Sequence, residues 1–115
     1  MHELSVVASL FEILEEKARE QGAKKIVLVK LRVGKLSGFV SEFLESTFDV
    51  YKKETIAEGA LLQIEEIPLK VQCQTCKQET TREDYLFICP KCLSRQLKIL
   101  EGTELVLEKI ELELE

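Results

Sequence analysis

The sequence predicts a small α+β domain: two helices on a three-stranded sheet, with a four-cysteine module inserted before the last strand. Three observations predict it. Apolar residues recur every three or four positions at the start of the chain. Two separate runs alternate apolar with polar residues, and a third short run is bounded by Gly59 and Pro68. Two close cysteine pairs sit in a stretch poor in large apolar side chains. The order expected is helix, strand, helix, strand, module, strand.

From Leu4 to Gln21 the residues Leu4, Val7, Phe11, Leu14 and Ala18 form one stripe of an amphipathic helix. Gly22 follows, the residue best suited to a left-handed C-terminal cap. Lys24 to Val33 reads as a strand, with Val27, Val29, Leu31 and Val33 on one face and Lys30 and Arg32 on the other. Gly34 and Gly38 bracket a turn. Ser41 is placed to cap a second helix, which presents Leu44, Phe48 and Tyr51 on one side and fades near Thr55. Gly59 separates it from a second strand, Leu61 to Ile67, which Pro68 ends. The two strands around the second helix suit a βαβ crossover. A last strand runs from Leu105 to Glu115, where Ile110, Leu112 and Leu114 alternate with Glu111, Glu113 and Glu115. The expected division is residues 1–70 plus 101–115 as one α+β unit and 71–100 as the cysteine module.

Composition bounds the function. With 45% apolar and 32% charged residues the 115-residue chain is an ordinary globular one, long enough for one modest core. A net charge of −5 argues against nucleic acid, because phosphate binding needs a basic surface. No apolar run approaches a membrane span, and MHELSVVASL lacks the features of a signal peptide, so the expected compartment is cytoplasmic. There thiols stay reduced, and paired cysteines indicate metal rather than disulfides. No set of residues resembles a hydrolytic triad or an open catalytic metal site, so no enzyme activity is expected.

Cys73-Gln-Thr-Cys76 and Cys89-Pro-Lys-Cys92 are two C-x-x-C knuckles. Each aims two sulfurs at one point, and together they supply the four thiolates of a closed tetrahedral site, as in a zinc ribbon. Thiolate softness selects zinc, or iron in a rubredoxin-like centre. A closed site leaves no position for substrate, so the expected role is a structural Zn²⁺. Lys77, Arg82, Lys91, Arg95 and Lys98 are offset by Glu79, Glu83, Asp84 and the charge of a metal–thiolate centre, which favours a structural or protein-binding role.

The second candidate site is the N-terminus. His2 is the only histidine, and so bulky a second residue should preserve Met1. The Met1 amine, the His2 backbone nitrogen and the His2 imidazole can close fused chelate rings, with Glu3 adding a backbone nitrogen or carboxylate. Nitrogen-rich donors of this kind suit Ni²⁺ or Cu²⁺, and spacing does not choose between them. A helix starting at Leu4 would anchor the tripeptide through Leu4 and Val7.

The initial Met-His-Glu, Val33-Gly34-Lys35-Leu36-Ser37-Gly38, Phe48-Asp49, the run from Thr55 to Ile64, Ile67-Pro68 and the paired cysteines together resemble the HypA/HybF family of hydrogenase-maturation nickel chaperones. The resemblance runs from end to end. It implies that His2, helped by Met1 and Glu3, binds Ni²⁺ as cargo, and that Cys73, Cys76, Cys89 and Cys92 hold zinc. It also implies delivery to the precursor large subunit of a [NiFe]-hydrogenase with a HypB-type GTPase, some family members also serving urease maturation. The sequence itself is compatible with a monomer or a homodimer. The alternative is a zinc-ribbon interaction adaptor or nucleic-acid module with an incidental His2. Some relatives carry histidines near the knuckles; this chain has none there.

Overall fold

The computed structural model describes residues 2–82 and 87–114, with the backbone alone at His2. Eight elements follow in order: α1 (His2–Glu20), β1 (Ala23–Gly34), α2 (Ser41–Tyr51), β2 (Leu61–Ile67), β3 (Leu69–Cys73), β4 (Glu79–Arg82), β5 (Leu97–Glu101) and β6 (Leu105–Leu114). They make two sheets of three strands, β2-β1-β6 and β4-β3-β5.

The first sheet carries both helices. Its central strand β1 runs parallel to β2 and antiparallel to β6, the parallel pair being joined through α2 as the βαβ reading requires. The apolar stripe of α1 supplies Val7, Leu10, Phe11, Leu14 and Ala18 to the core, against Val29, Leu31 and Val33 of β1 and Leu44 and Phe48 of α2. Phe11 bridges the helices, its ring 5.3 Å from Phe48 and 4.8 Å from Tyr51. Tilted aromatic pairs at this spacing add to area burial because ring edges meet ring faces. Gly22 ends α1 at φ 65°, with its N–H on the Arg19 carbonyl.

Three local expectations are corrected. Helix α1 begins at His2, not Leu4, and Leu4 is 56% exposed, so Val7 is the anchor of the first turn. Val27 is exposed while Ile26 is buried. The register against β6 slips between Ile26 and Leu28, and this bulge turns Val27 off the inner face. At α2 the capping position is Val40, whose side chain makes no capping bond; Ser41 is already inside the helix.

The outer face of the sheet is solvated, and the acidic residues of β6 meet cations of β1 there. Lys30 lies 3.6 Å from Glu108 and Lys25 3.3 Å from Glu113, while Arg32 donates to Glu65 of β2 at 2.8 Å. Exposed pairs of this kind contribute about 0–1 kcal/mol each, so they secure register more than stability.

The passage between sheets is tight. Gly34 N–H donates to the Glu104 carbonyl at 2.7 Å, Lys35 N–H to Ile67 at 3.0 Å and Leu36 N–H to Gly102 at 2.6 Å. A Cβ on Gly34 would lie 2.3 Å from the Gly102 carbonyl oxygen, and one on Gly102 2.9 Å from Leu69 Cα. Gly102 also holds φ at 118°. Only glycine fits such an approach. The Gly34–Gly38 turn thus ties together the two points where the chain crosses between sheets, after β2 and before β6. Glu104 completes the knot: its carboxylate accepts the Gly102 N–H at 2.6 Å. The amides of Glu104 itself, Gly102 and Thr103 hold its pKa below the usual carboxylate range.

Candidate metal centre

In the second sheet β3 pairs antiparallel with β4 and β5, and the cysteines lie at the ends and turns of these strands. Cys73 is the last residue of β3. The first knuckle turns back from it: Lys77 N–H donates to the Cys73 carbonyl at 2.8 Å and Cys73 N–H to the Gln78 carbonyl at 2.9 Å. The second knuckle repeats this pattern. Leu93 N–H donates to the Cys89 carbonyl at 2.9 Å and Cys89 N–H to the Ser94 carbonyl at 2.8 Å. In both, the residue after the second cysteine is left-handed, Lys77 at φ 66° and Leu93 at φ 62°. A non-glycine residue at such φ is costly, on the order of 1–3 kcal/mol. Two at equivalent positions indicate that the sulfur arrangement over-determines the turn. Nothing in the sequence singled these two out, since neither is glycine or asparagine. The knuckles are also joined directly, Gln74 N–H to the Gln96 carbonyl at 2.7 Å and Thr75 Oγ1 to Ser94 Oγ at 2.9 Å.

The four sulfurs converge. The Sγ atoms of Cys73, Cys76, Cys89 and Cys92 all lie within 4.8 Å of one another. Cys73 and Cys92 are 3.5 Å apart, Cys76 and Cys89 3.7 Å. A disulfide needs about 2.05 Å, so these are free thiols. A tetrahedron with metal–sulfur bonds of roughly 2.3 Å has edges of roughly 3.8 Å, close to these two distances. Cys73 and Cys89 are buried, Cys76 and Cys92 exposed.

The electrostatics agree. The Cys73 thiol is lowered to about 6, chiefly by the Cys76 amide, 3.4 Å from its sulfur, and by that of Thr75, against burial. Cys89 is lowered in the same way, by the amides of Cys92 and Lys91. Cys92 moves the other way, to about 12: the Ser94 amide favours its thiolate, but the crowding thiols of Cys73, Cys89 and Cys76, with loss of water, outweigh it. Four thiols at one point cannot all ionise unaided. A divalent cation at their centre removes the conflict, so the donor set fits a soft metal ion such as zinc.

The N-terminal candidate falls partly outside the described residues: Met1 and the side chain of His2 do. Glu3 lies in the first turn of α1, half-buried. Among the described residues no helix is long and apolar enough to cross a membrane.

Two helices on a three-stranded sheet, followed by a second sheet bearing a tetrathiolate cluster, define a metal-binding protein of the α+β class. The family model for hydrogenase/urease nickel incorporation, metallochaperone HypA, matches residues 1–112. The chain is 44% identical to the hydrogenase maturation factor HypA of Roseiflexus over 98% of this chain and 93% of that one. It is 38% identical to that of Aquifex aeolicus over 100% of both. The solution structure of the nickel metallochaperone HypA from Helicobacter pylori superposes with a TM-score of 0.69 at 29% identity, covering 98% of each chain. A second HypA solution structure gives a TM-score of 0.75 at 30% identity, covering 100% of this chain and 98% of the other. This chain therefore belongs to the HypA family of nickel-incorporation metallochaperones, a family of maturation factors rather than enzymes.

Proposed function

We propose that the chain carries Ni²⁺ at its N-terminus, on Met1, His2 and Glu3, and delivers it in the cytoplasm to the large-subunit precursor of a [NiFe]-hydrogenase. A HypB-type GTPase assists, and Cys73, Cys76, Cys89 and Cys92 hold a structural Zn²⁺. In this reading residues 1–70 and 101–115 are the nickel-handling unit and 71–100 the zinc module.

The observation that carries the reading is membership of a nickel-incorporation family together with an initial Met-His-Glu at the head of a long helix. The start of α1 at His2 supports it physically. The first amides of a helix have no acceptor within the helix, so the start of α1 at His2 leaves the His2 backbone nitrogen without an intrahelical partner. The positive end of the helix dipole opposes protonated amine and imidazolium. It equally opposes a bare dication, which favours donors that give up protons and neutralise the metal's charge. A ligand set at the outer end of a helix is also open to a recipient, whereas a buried cage would trap the cargo. The closed tetrathiolate cluster leaves no position for exchange, which suits a resident structural ion.

Calorimetric titration with Ni²⁺ tests the proposal. One site per chain is expected for the unaltered protein. His2→Ala, and a form extended by residues before Met1, should each weaken binding at least tenfold. Nickel affinity unchanged in both would rule the N-terminal site out. Metal analysis should find one zinc per chain, lost in Cys89→Ser.

A further inference from the structure

Beside α1 the inner face of the first sheet opens into an apolar cavity of about 330 Å³, lined by Val6, Ser9 and Ile13 of α1, Leu31 of β1, and Leu105 and Leu107 of β6. A second hollow, again about 330 Å³, shares Leu107 and continues past Ile110 and Leu112 to Lys17. Together they form a trough on the order of 18 Å long, taking about 1.5 Å of rise per residue from Ser5 to Lys17. Its floor is incompletely covered. Val29, Leu31 and Val33 of β1 are at most 3% exposed, whereas Leu105, Leu107, Ile110 and Leu112 on the same face of β6 are only partly buried.

We propose that this trough is the docking groove for an amphipathic helix, aliphatic on one face and basic on its flanks, presented by the protein that exchanges metal with the N-terminal site. The proposal rests on the nickel reading above. Three observations select this occupant. Positions 2, 5, 9, 12 and 16 share one column of α1 by helical spacing, so the groove, whose lining begins at Ser5, lies along the column that leads one turn further to the position proposed to hold the cargo. Ser5 and Ser9 are small and exposed along the wall, leaving room for the backbone of an incoming helix. The charge on the rim is acidic: Glu12 and Glu16 are exposed and make no ion pair among the described residues. The two lysines that line the far hollow are already matched, Lys17 with Glu20 at 3.9 Å and Lys109 with Glu111 at 2.9 Å. A second copy of this chain would bring the same Glu12 and Glu16 against these, setting like charges together, whereas basic flanks answer them. A trough of this length accommodates apolar anchors at i, i+3/i+4 and i+7 of one helix.

The test uses the full zinc-loaded chain with the purified HypB-type GTPase from the same cell. Ser9 is exposed, so Ser9→Arg obstructs the groove without touching the core. It should weaken GTPase binding at least tenfold while leaving N-terminal nickel affinity unchanged. Glu12→Lys with Glu16→Lys should weaken it severalfold and flatten its dependence on salt. Absence of GTPase binding by the unsubstituted chain, or wild-type binding by Ser9→Arg, would overturn the proposal. So would a dimer seen by sedimentation that Ser9→Arg dissociates, since a second copy would then fill the groove. His2→Ala separates the two ideas: nickel affinity that survives it defeats the nickel reading, and the GTPase titration of Ser9→Arg still decides the groove.

Discussion

Gly34 shows how a single missing side chain fixes the relation of distant strands. A methyl there would meet the Gly102 carbonyl oxygen at 2.3 Å, and both partners are backbone, so no side chain can rotate out of the way. Gly34→Ala should therefore destabilise the protein by on the order of 1–3 kcal/mol, the usual cost of overpacking a rigid site. Gly59 is the control, because a Cβ there meets nothing within 4 Å and its φ is not positive. Gly59→Ala should leave stability unchanged or raise it by about 0.4–1 kcal/mol, through loss of freedom in the unfolded chain. Thermal unfolding of the two variants checks this; equal shifts would mean that the Gly34–Gly102 approach does not constrain the fold. The convergence of the four thiols was legible from spacing alone, because a C-x-x-C turn has few geometric options. The role of Gly34 and Gly102 was not. It depends on a contact between residues far apart in sequence, and a glycine in a strand gives no hint of what lies against it.

At the scale of elements, legibility followed local chemistry. Strand β2 begins and ends where Gly59 and Pro68 implied, and α1 closes just before Gly22, whose φ of 65° glycine adopts without strain. Periodicity misplaced Val27, since a bulge breaks the alternation and leaves no trace in residue types. The three strands of the second sheet were not foreseen as strands. Glu79–Arg82 is polar throughout and Leu97–Glu101 largely exposed, so neither shows a pattern that burial would impose. The start of α2 was misread by one residue: a good capping residue, Ser41, lies just inside the helix and Val40 occupies the cap. Val40 is 43% exposed and so gives up little on replacement. Its φ of −102° and ψ of 124° already suit a capping residue. Val40→Asp should supply the missing acceptor to the first amides of α2 and stabilise the protein by about 0.5–2 kcal/mol. Chemical denaturation should show the midpoint rising with an unchanged slope. A fall in the midpoint would mean that Val40 contributes more by packing than its exposure suggests.

The whole molecule is long for its mass. Its Cα radius of gyration is 17.8 Å, against about 13 Å for a compact chain of this length, because the two sheets follow one another instead of stacking. Each must therefore find its own source of stability. The first has a continuous core from α1 through β1 to α2. Among its described residues the second buries only Leu69, Val71, Cys73 and Cys89 as apolar side chains, which is too little to offset the ordering of its strands. The proposed zinc makes up the difference, since a structural ion of this type contributes about 10–16 kcal/mol of apparent binding energy. Removing it with a strong chelator at neutral pH should release the second sheet and spare the first. Hydrogen exchange resolves the two directly. Amides of Val71 and Cys73 should lose protection by several orders of magnitude, while those of Val29, Leu31 and Val33 keep most of theirs. The Gly34–Gly102 knot sets a limit on that independence, because the amides of Gly34, Lys35 and Leu36 donate to carbonyls at both crossings. Residues at the knot should show intermediate loss. Protection lost equally across both sheets would make the molecule one cooperative unit, with the metal holding the helix-bearing half together as well. Protection retained in both would mean that the thiol cluster needs no ion to stay folded.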